Sequence, residues 1–165
     1  MLFAGDIASN LNFGNEEGTE EDWAEACRIS CSSEFVDNKD GVYHADVSQG
    51  ATNFSGGQRQ RLAIARAVMK KPEVYIFDDS FSTLDMKTDK QLRTNLKESM
   101  GEATMIVVAQ RVNTIMDATR IIVLENGEVS GMGTHLELLK SCQLYREIAE
   151  IQLGEEEVRN ELASA

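Results

Sequence analysis

The sequence predicts an α/β fold with a largely parallel sheet, because short apolar runs alternate with segments of helical periodicity. Val74–Phe77 and Thr104–Ala109 are predicted to be buried strands, since both are short and apolar, and the first is rich in strand formers. A chain of 165 residues is long enough for one ordinary domain with its own core. We therefore expect one domain built of helices and strands in alternation.

The first part of the chain combines loops with one short helix. Residues 10–20 are rich in Asn, Gly and Glu and are predicted to form a loop. Glu20–Cys31 places apolar residues at near-helical spacing, which predicts an amphipathic helix. Residues 37–53 show little periodicity and several turn residues, so we expect a second loop there.

A strong helix start follows at Ser55. Ser55 suits an N-cap, and Gln58 three residues later completes the pattern of a capping box. The helix is expected to run to about Lys70, because Pro72 cannot continue it. Residues 87–99 are predicted to form a further, exposed helix.

The last third of the chain begins with a predicted hairpin. Ile121–Leu124 and Glu128–Ser130 flank Asn126-Gly127, the dipeptide that favours a tight hairpin turn. Thr134 and Glu137 then repeat the capping-box pattern at the start of a helix.

The end of the chain is predicted to contain one more helix and a tail. The helix runs from about Cys142 to Gln152. The Glu-rich stretch from Gly154 onward is expected to be frayed or disordered.

Composition excludes several classes of protein. The net charge of −12 argues against nucleic-acid binding, which needs a basic surface for phosphates. No apolar run approaches the length of a membrane span, and three cysteines are an odd number for a disulfide framework. Between Asp46 and Glu73, however, the chain has only basic charges, which suggests a local anionic ligand or a partner surface.

Two segments carry candidate chemistry. Ser55–Gln58 places two glycines at a helix start, where backbone N–H groups and the helix dipole favour an anion. Asp78 and Asp79 follow an apolar strand, at the sheet edge where α/β proteins bind ligands. A carboxylate there commonly holds Mg²⁺ through water when the substrate carries phosphates.

Together these segments resemble the nucleotide-binding domains of ABC transporters. Asn53–Ala67 is similar to the signature motif of that family and the helix after it, and Val74–Asp79 to its Walker B strand. Ser82–Asp85 resembles the D-loop, and Val108–Ile115 the switch segment, in which the family usually has a histidine. The resemblance extends from Leu2–Leu11, which is similar to the stretch after the Q-loop of exporters, to an ending typical of the family at Gly127–Leu139.

The resemblance implies a P-loop NTPase-like ABC ATPase fold with ATP and Mg²⁺ as ligands. Two such domains pair head to tail around two MgATP molecules. Asp78 would assist Mg²⁺ through water, Asp79 and Gln110 would occupy the catalytic positions, and the D-loop residues Ser82 and Asp85 would lie at the interface, where Asp85 couples the two sites. The signature residues would contact the γ-phosphate of a nucleotide held mainly by the partner: Ser55, Gly56, Gly57 and Gln58.

One expected element is absent from the sequence. No G-x-x-x-x-G-K-[ST] loop occurs in it, although the family binds phosphates mainly through that loop. We therefore expect the chain to be the C-terminal portion of a nucleotide-binding domain, incomplete in its sheet and inactive alone. This partial domain would occupy residues 1–152, with a helical signature subdomain over about 15–72, the Walker B to C-terminal part over 73–152, and a disordered acidic tail over 153–165.

The two catalytic positions depart from the family. Asp79 stands where competent members usually carry Glu, and Gln110 stands where they carry His. The shorter Asp would fall short of the attacking water, and a glutamine cannot transfer a proton near neutral pH. This combination resembles the degenerate half of a heterodimeric ABC exporter.

The sequence leaves three hypotheses for the function. The first is the ATPase half of an exporter at the cytoplasmic face of a membrane, working with a transmembrane domain and a second ABC domain. The second is a non-catalytic dimerisation or regulatory module. The third is an ABC ATPase that acts on DNA, which the lack of heptads and positive charge disfavours.

Overall fold

The computed structural model describes residues 2–164, which form two compact units divided between Val108 and Ala109. Each unit has its own core of buried apolar side chains. We expected a subdivision near residue 72. That subdomain boundary stays a prediction; in the structure Tyr75 and Phe77, which follow it, pack into the core of the first unit.

The first unit is mainly helical. Its elements in chain order are β1 Gly5–Asp6, α1 Ile7–Asn12, α2 Glu20–Ile29, α3 Ser33–Val36, a 3₁₀ turn Val42–His44, β2 Asp46–Val47, a 3₁₀ turn Gln49–Ala51, α4 Gly56–Met69, β3 Val74–Asp78, α5 Met86–Ser99 and β4 Thr104–Val108.

The N-terminal helix α1 was not predicted, and it extends into the loop expected over residues 10–20. Asp6 caps it by accepting a hydrogen bond from the Ser9 N–H at 2.7 Å. Ile7 and Leu11, four residues apart, are fully buried and hold the helix on the core. The helix is only six residues long, too short for its periodicity to stand out in the sequence.

Strands β3 and β4 pair in parallel, with Val74 opposite Thr104 and Asp78 opposite Val108. The prediction that both strands are buried is wrong. In β3 only Tyr75 and Phe77 are buried, while Ile76 is 70% exposed. In β4 no residue is fully buried. Among residues 2–164 the pair has no third strand, and only one face of β3 lies on the core.

The expected mixture of helices and strands is present, and parallel pairing within the described chain is confined to β3 and β4. Strands β1 and β2 pair antiparallel over two residues each. The strand β2 and the two 3₁₀ turns lie inside the stretch predicted as loop, residues 37–53. Strands this short leave no readable alternation in a sequence.

The second unit contains the remaining elements. They are α6 Val112–Ile115, β5 Ile121–Glu125, β6 Glu128–Gly133, α7 His135–Ser141, α8 Gln143–Leu153 and α9 Glu155–Ser164. The predicted hairpin is confirmed: β5 and β6 pair antiparallel around Asn126 and Gly127, both of which have positive φ. Two positive φ values in a two-residue loop match the turn that this dipeptide favours.

The acidic end of the chain is an ordered helix, α9, and not the disordered tail that the sequence predicts. Val158 is 1% exposed within the core of the second unit. Glu161 places its Oε2 atom 2.8 Å from His135 Nε2. The acidic residues Glu155–Glu157 occupy the first turn, where they suit the helix dipole. Packing over a long sequence separation thus orders a segment whose composition resembles a frayed end.

Candidate functional site

The signature segment, Ser55–Gln58, forms the start of α4. The Ser55 hydroxyl accepts the Gln58 N–H at 3.2 Å, and the Ser55 N–H donates to Gln58 Oε1 at 3.0 Å. This is the capping box that the sequence predicts. The N–H groups of Gly56 and Gly57 belong to the first turn, so they have no acceptor within the helix. The segment therefore presents backbone donors at the positive end of a helix dipole.

The two glycines are not required by the packing of the first unit. Neither has a positive φ. A Cβ atom on Gly57 would lie 3.4 Å from the Thr83 carbonyl oxygen, and one on Gly56 would lie 3.8 Å from the Thr83 side chain. These are ordinary contact distances, and glycine at a helical position costs roughly 0.5–1 kcal/mol relative to alanine. The presence of Gly56 and Gly57 is explained if a ligand or another protein segment approaches the backbone closely at this point.

Asp78 and Asp79 end β3 with exposed side chains. Asp79 continues the pairing beyond the strand, because its N–H donates to the Val108 carbonyl at 3.0 Å. Its φ of 48° lies in the left-handed region, which costs roughly 1–2 kcal/mol for a residue with a side chain and which Asp tolerates better than most. The backbone thus turns sharply at Asp79.

The Asp79 turn, residues 79–85, returns the chain to α5. Phe81 and Leu84 are buried and anchor it in the core. The Ser82 hydroxyl donates to the Asp79 carbonyl at 3.0 Å. Asp85 caps α5, because its Oδ1 accepts the Lys87 and Thr88 N–H groups at 3.1 and 3.0 Å.

These capping bonds define the charge of Asp85. Hydrogen bonds from the Thr88 backbone and hydroxyl, with a further one from the Lys87 N–H, lower the pKa of Asp85 against slight desolvation. Its carboxylate is therefore ionised and already engaged in the chain. Any second role for Asp85 must coexist with helix capping.

Gln60 connects the signature helix to the Asp79 turn, and the sequence analysis missed it. Its Oε1 accepts the Thr83 hydroxyl at 2.6 Å and the Thr83 N–H at 3.3 Å. Its Nε2 donates to the Asp79 carbonyl at 3.3 Å and to Ser82 Oγ at 3.4 Å. A signal exists in the sequence, because Gln60 is the one polar residue in a helical row with Ala63, Ile64 and Ala67.

An open cleft of about 420 Å³ lies between α4 and β3. The row that starts at Gln60 forms one wall, and β3 with Asp78–Ser80 forms the other. Both carboxylate-bearing residues thus lie at one end of a groove beside the signature helix.

Gln110 lies in the second unit, and the other predicted site residues lie in the first. Its side chain is exposed. Gln152 on α8 holds the backbone around it, donating to the Gln110 carbonyl at 2.8 Å and accepting the Val112 N–H at 2.8 Å. The sequence analysis did not identify this role of Gln152.

The three arginines of α4 have partners inside the first unit, whereas the anionic ligand or partner surface expected from the whole basic stretch stays a prediction. Arg59 donates to the Phe54 carbonyl at 2.6 Å, and Arg61 to the Cys31 carbonyl at 2.7 Å. The Arg66 guanidinium lies over two aromatic rings, and burial lowers its pKa. Arginine in this helix therefore joins neighbouring segments of the first unit.

Comparison with known proteins identifies the family of this chain. The sequence model of the ABC transporter family matches residues 6–82, which include the signature segment and both aspartates. An uncharacterized ABC transporter ATP-binding protein of Mycobacterium tuberculosis is 46% identical over 154 residues, which cover 92% of this chain and 26% of that protein. The chain belongs to the ABC transporter ATP-binding family.

More distant relatives agree with this ABC assignment. The ABC multidrug transporter MDR2 of Trichophyton rubrum is 38% identical over 149 residues, covering 88% of this chain and 11% of that protein. A bacterial Atm1-family ABC exporter with ATP bound superimposes with a TM-score of 0.89 at 30% identity, covering 93% of this chain and 27% of that one. The fold is thus that of an ABC ATPase domain fragment, as the sequence predicts.

The ABC chain spans about a quarter of the length of the first curated relatives it matches. Within residues 2–164, no helix combines the length and the hydropathy that crossing a membrane requires. The family hydrolyses ATP, so the signature segment and Asp78 are the residues to test first for a contribution to that reaction.

Proposed function

We propose that this chain is part of the degenerate half of a heterodimeric ABC exporter, in which its signature segment completes an ATP site held mainly by a second ABC domain. The observation that carries the proposal is the glycine pair at the start of α4. Its first-turn N–H groups suit a phosphate, and its glycines have no steric or φ requirement inside the unit.

Asp78 fits the role of a magnesium carboxylate. It is exposed at the carboxyl end of a parallel strand, and Mg²⁺ is commonly bound through one or two carboxylates together with substrate phosphates. Among the described residues no group of three His, Cys, Asp or Glu side chains could hold a metal alone.

Asp79 and Gln110 support slow hydrolysis at this chain's own site. A carboxylate one methylene shorter than Glu lies about 1.5 Å farther from a bound water, and a misplacement of about 1 Å can reduce a rate by about 100-fold. Gln110 can hydrogen-bond a phosphate oxygen but cannot accept or deliver a proton near neutral pH. Both substitutions therefore act in the same direction.

The experiment measures MgATP turnover by the longer protein that contains this chain, purified alone and with the ABC protein that co-purifies with it. Alone, turnover near background is expected. In the pair, Asp79→Glu together with Gln110→His should raise turnover roughly 10- to 100-fold. Asp40→Glu and Gln143→His, exposed positions outside the site, serve as matched controls. Brisk turnover by the protein alone would contradict the degenerate assignment and indicate a homodimer.

A non-catalytic ABC module is the second candidate, favoured by the same two residues. The two functions differ at the signature segment. If the chain completes a working site, Gly57→Ala in this chain should reduce the turnover of the pair. If it serves only dimerisation, turnover should not change.

A further inference from the structure

Gln60 is half-buried at the junction of α4 and the Asp79 turn. Its single amide group makes four hydrogen bonds, which reach Asp79, Ser82 and Thr83. Two of them use its oxygen as acceptor and two use its nitrogen as donor. Only an amide side chain of this length supplies both functions at one place.

The turn needs such a connection. Its apolar anchors, Phe81 and Leu84, hold the middle and the end. The start is a left-handed Asp79, a conformation that persists when surrounding contacts over-determine it. Gln60 bonds the Asp79 carbonyl directly, so it contributes to the backbone orientation from which the Asp79 carboxylate projects.

The position of Gln60 along α4 also links the Asp79 turn to the signature segment. Gln60 lies five residues after Ser55 on one continuous helix, whose first turn is the signature segment. A helix transmits displacement along its axis because its backbone is hydrogen-bonded throughout. The signature segment is therefore joined to the Asp79 turn through the Gln60 side chain as well as by the packing of its two glycines near Thr83, with no flexible loop between them.

We infer that Gln60 is a positioning residue that holds the Asp79 turn in register with the signature segment. The inference rests on the proposed function, in which the signature segment serves the partner's ATP site and Asp79 serves this chain's own. Gln60 is then the connection within one chain between its contributions to the two sites. Gln60 itself touches neither nucleotide nor metal in this scheme.

The first test uses hydrogen–deuterium exchange of the intact 165-residue chain. Gln60→Ala should increase exchange of the Thr83 amide roughly 5- to 30-fold, because that N–H loses its acceptor. Gln60→Glu keeps the acceptor oxygen, so it should leave Thr83 protected while it removes the donor to Asp79. Gln91→Ala is the matched control, since the Gln91 side chain is exposed and its Nε2 donates a hydrogen bond to Asn95 Oδ1 on the same helix.

The second test measures turnover by the transporter pair with MgATP. Gln60→Ala should lower kcat by about 10-fold and leave KM for ATP within about twofold, because positioning acts on the reacting geometry and not on nucleotide binding. Gln60→Glu should lower kcat as well, although Thr83 stays protected.

The two tests separate the two hypotheses. If Thr83 exchange does not change in Gln60→Ala, the positioning role is overturned whatever the turnover. If exchange rises as expected while kcat and KM of an active pair are unchanged, the connection is structural only and the inference is also overturned. If the wild-type pair has no turnover at all, the proposed function fails, and the exchange result reports on Gln60 separately.

Discussion

Helices α4 and α7 begin with the same capping geometry, but the first residues of the two helices have different surroundings. At α4, Ser55 and Gln58 exchange hydrogen bonds of 3.2 and 3.0 Å. At α7, Thr134 and Glu137 exchange hydrogen bonds of 3.4 and 2.8 Å. The third helical residue is neutral in the first box and a carboxylate in the second. A carboxylate there neutralises the positive end of the helix dipole, whereas glutamine leaves it available to an anion.

The first helical residues differ as well. In α4 this residue is Gly56, on which a Cβ atom would lie 3.8 Å from the Thr83 side chain, an ordinary contact distance. In α7 it is His135, which is buried, with Nδ1 2.8 Å from the Tyr145 hydroxyl and Nε2 2.8 Å from Glu161 Oε2. Desolvation, with a contribution from Glu161, raises the pKa of Tyr145 to about 12, so its hydroxyl is protonated at neutral pH. The start of α7 is thus packed and hydrogen-bonded inside its unit, whereas the start of α4 keeps its first-turn N–H groups available to a ligand.

The largest expected effect on stability comes from removing the hydrogen bonds of His135 at the start of α7. His135→Ala should lower the free energy of unfolding by roughly 2–3 kcal/mol, because it leaves the buried Tyr145 hydroxyl and Glu161 without their partner. The equivalent change in the other helix, Gly56→Ala, should be neutral or stabilising by up to about 1 kcal/mol. Urea unfolding of both variants measures the difference.

Release of α9 provides a second readout of the His135 change. Proteolysis near Gly154 should become faster in His135→Ala and not in Gly56→Ala. Equal stability losses in the two variants would contradict the conclusion that the start of α7 is packed internally and the start of α4 is not.

Exchanging the third helical residues sharpens the comparison. Gln58→Glu keeps the capping box but places a carboxylate at the signature segment, so turnover of the transporter pair should fall by about 10-fold or more through repulsion of the phosphate. The stability of this chain should stay the same or rise by about 0.5 kcal/mol. The reciprocal change, Glu137→Gln, should lower stability by about 0.5 kcal/mol and leave turnover unchanged. A loss of turnover in both variants would show that capping, and not the local charge, matters.

The smallest effect concerns pH. Hydrogen bonds from the Thr134 backbone and hydroxyl lower the pKa of Glu137 below its usual 4.5. A lowered pKa means that this stabilisation is present above the usual value and is lost as the pH falls through the pKa in the folded state. First-turn amides of α7 should therefore lose protection, relative to the intrinsic exchange rate at each pH, as the pH falls through the lowered pKa of Glu137, whereas those of α4, capped by Gln58, should not.

Amide exchange followed by NMR between pH 3 and 6 tests this difference, with Glu137→Gln as the control that should abolish it. A parallel acid transition at both helix starts would point to global unfolding instead.

Several features of this fold were readable in the sequence because their causes are local. The two capping boxes predicted from the sequence, at α4 and α7, depend on residues within a few positions of one another, as do the hairpin at Asn126-Gly127 and the strand before Asp78. Local hydrogen bonds and backbone preferences act whatever the rest of the chain does. The order of these motifs was also sufficient to assign the family.

Other features needed contacts over a long sequence separation. Helix α9 is ordered by Val158 and by the bond from Glu161 to His135, 26 residues away. Gln60 finds its partners 19 to 23 residues later. The arginines of α4 resembled an anion site in the sequence because their carbonyl and aromatic partners were not visible there.

The amino-acid sequence by itself determined the family, the two helix starts and the residues of the signature segment, since each is written in adjacent positions. Only the tertiary structure decided which polar side chains form hydrogen bonds inside the protein. It joined Gln60 to the Asp79 turn, buried His135 beneath α9, and left one face of β3 exposed. The physical reason is that hydrogen bonding and burial depend on which distant segments meet, and a linear pattern does not record that.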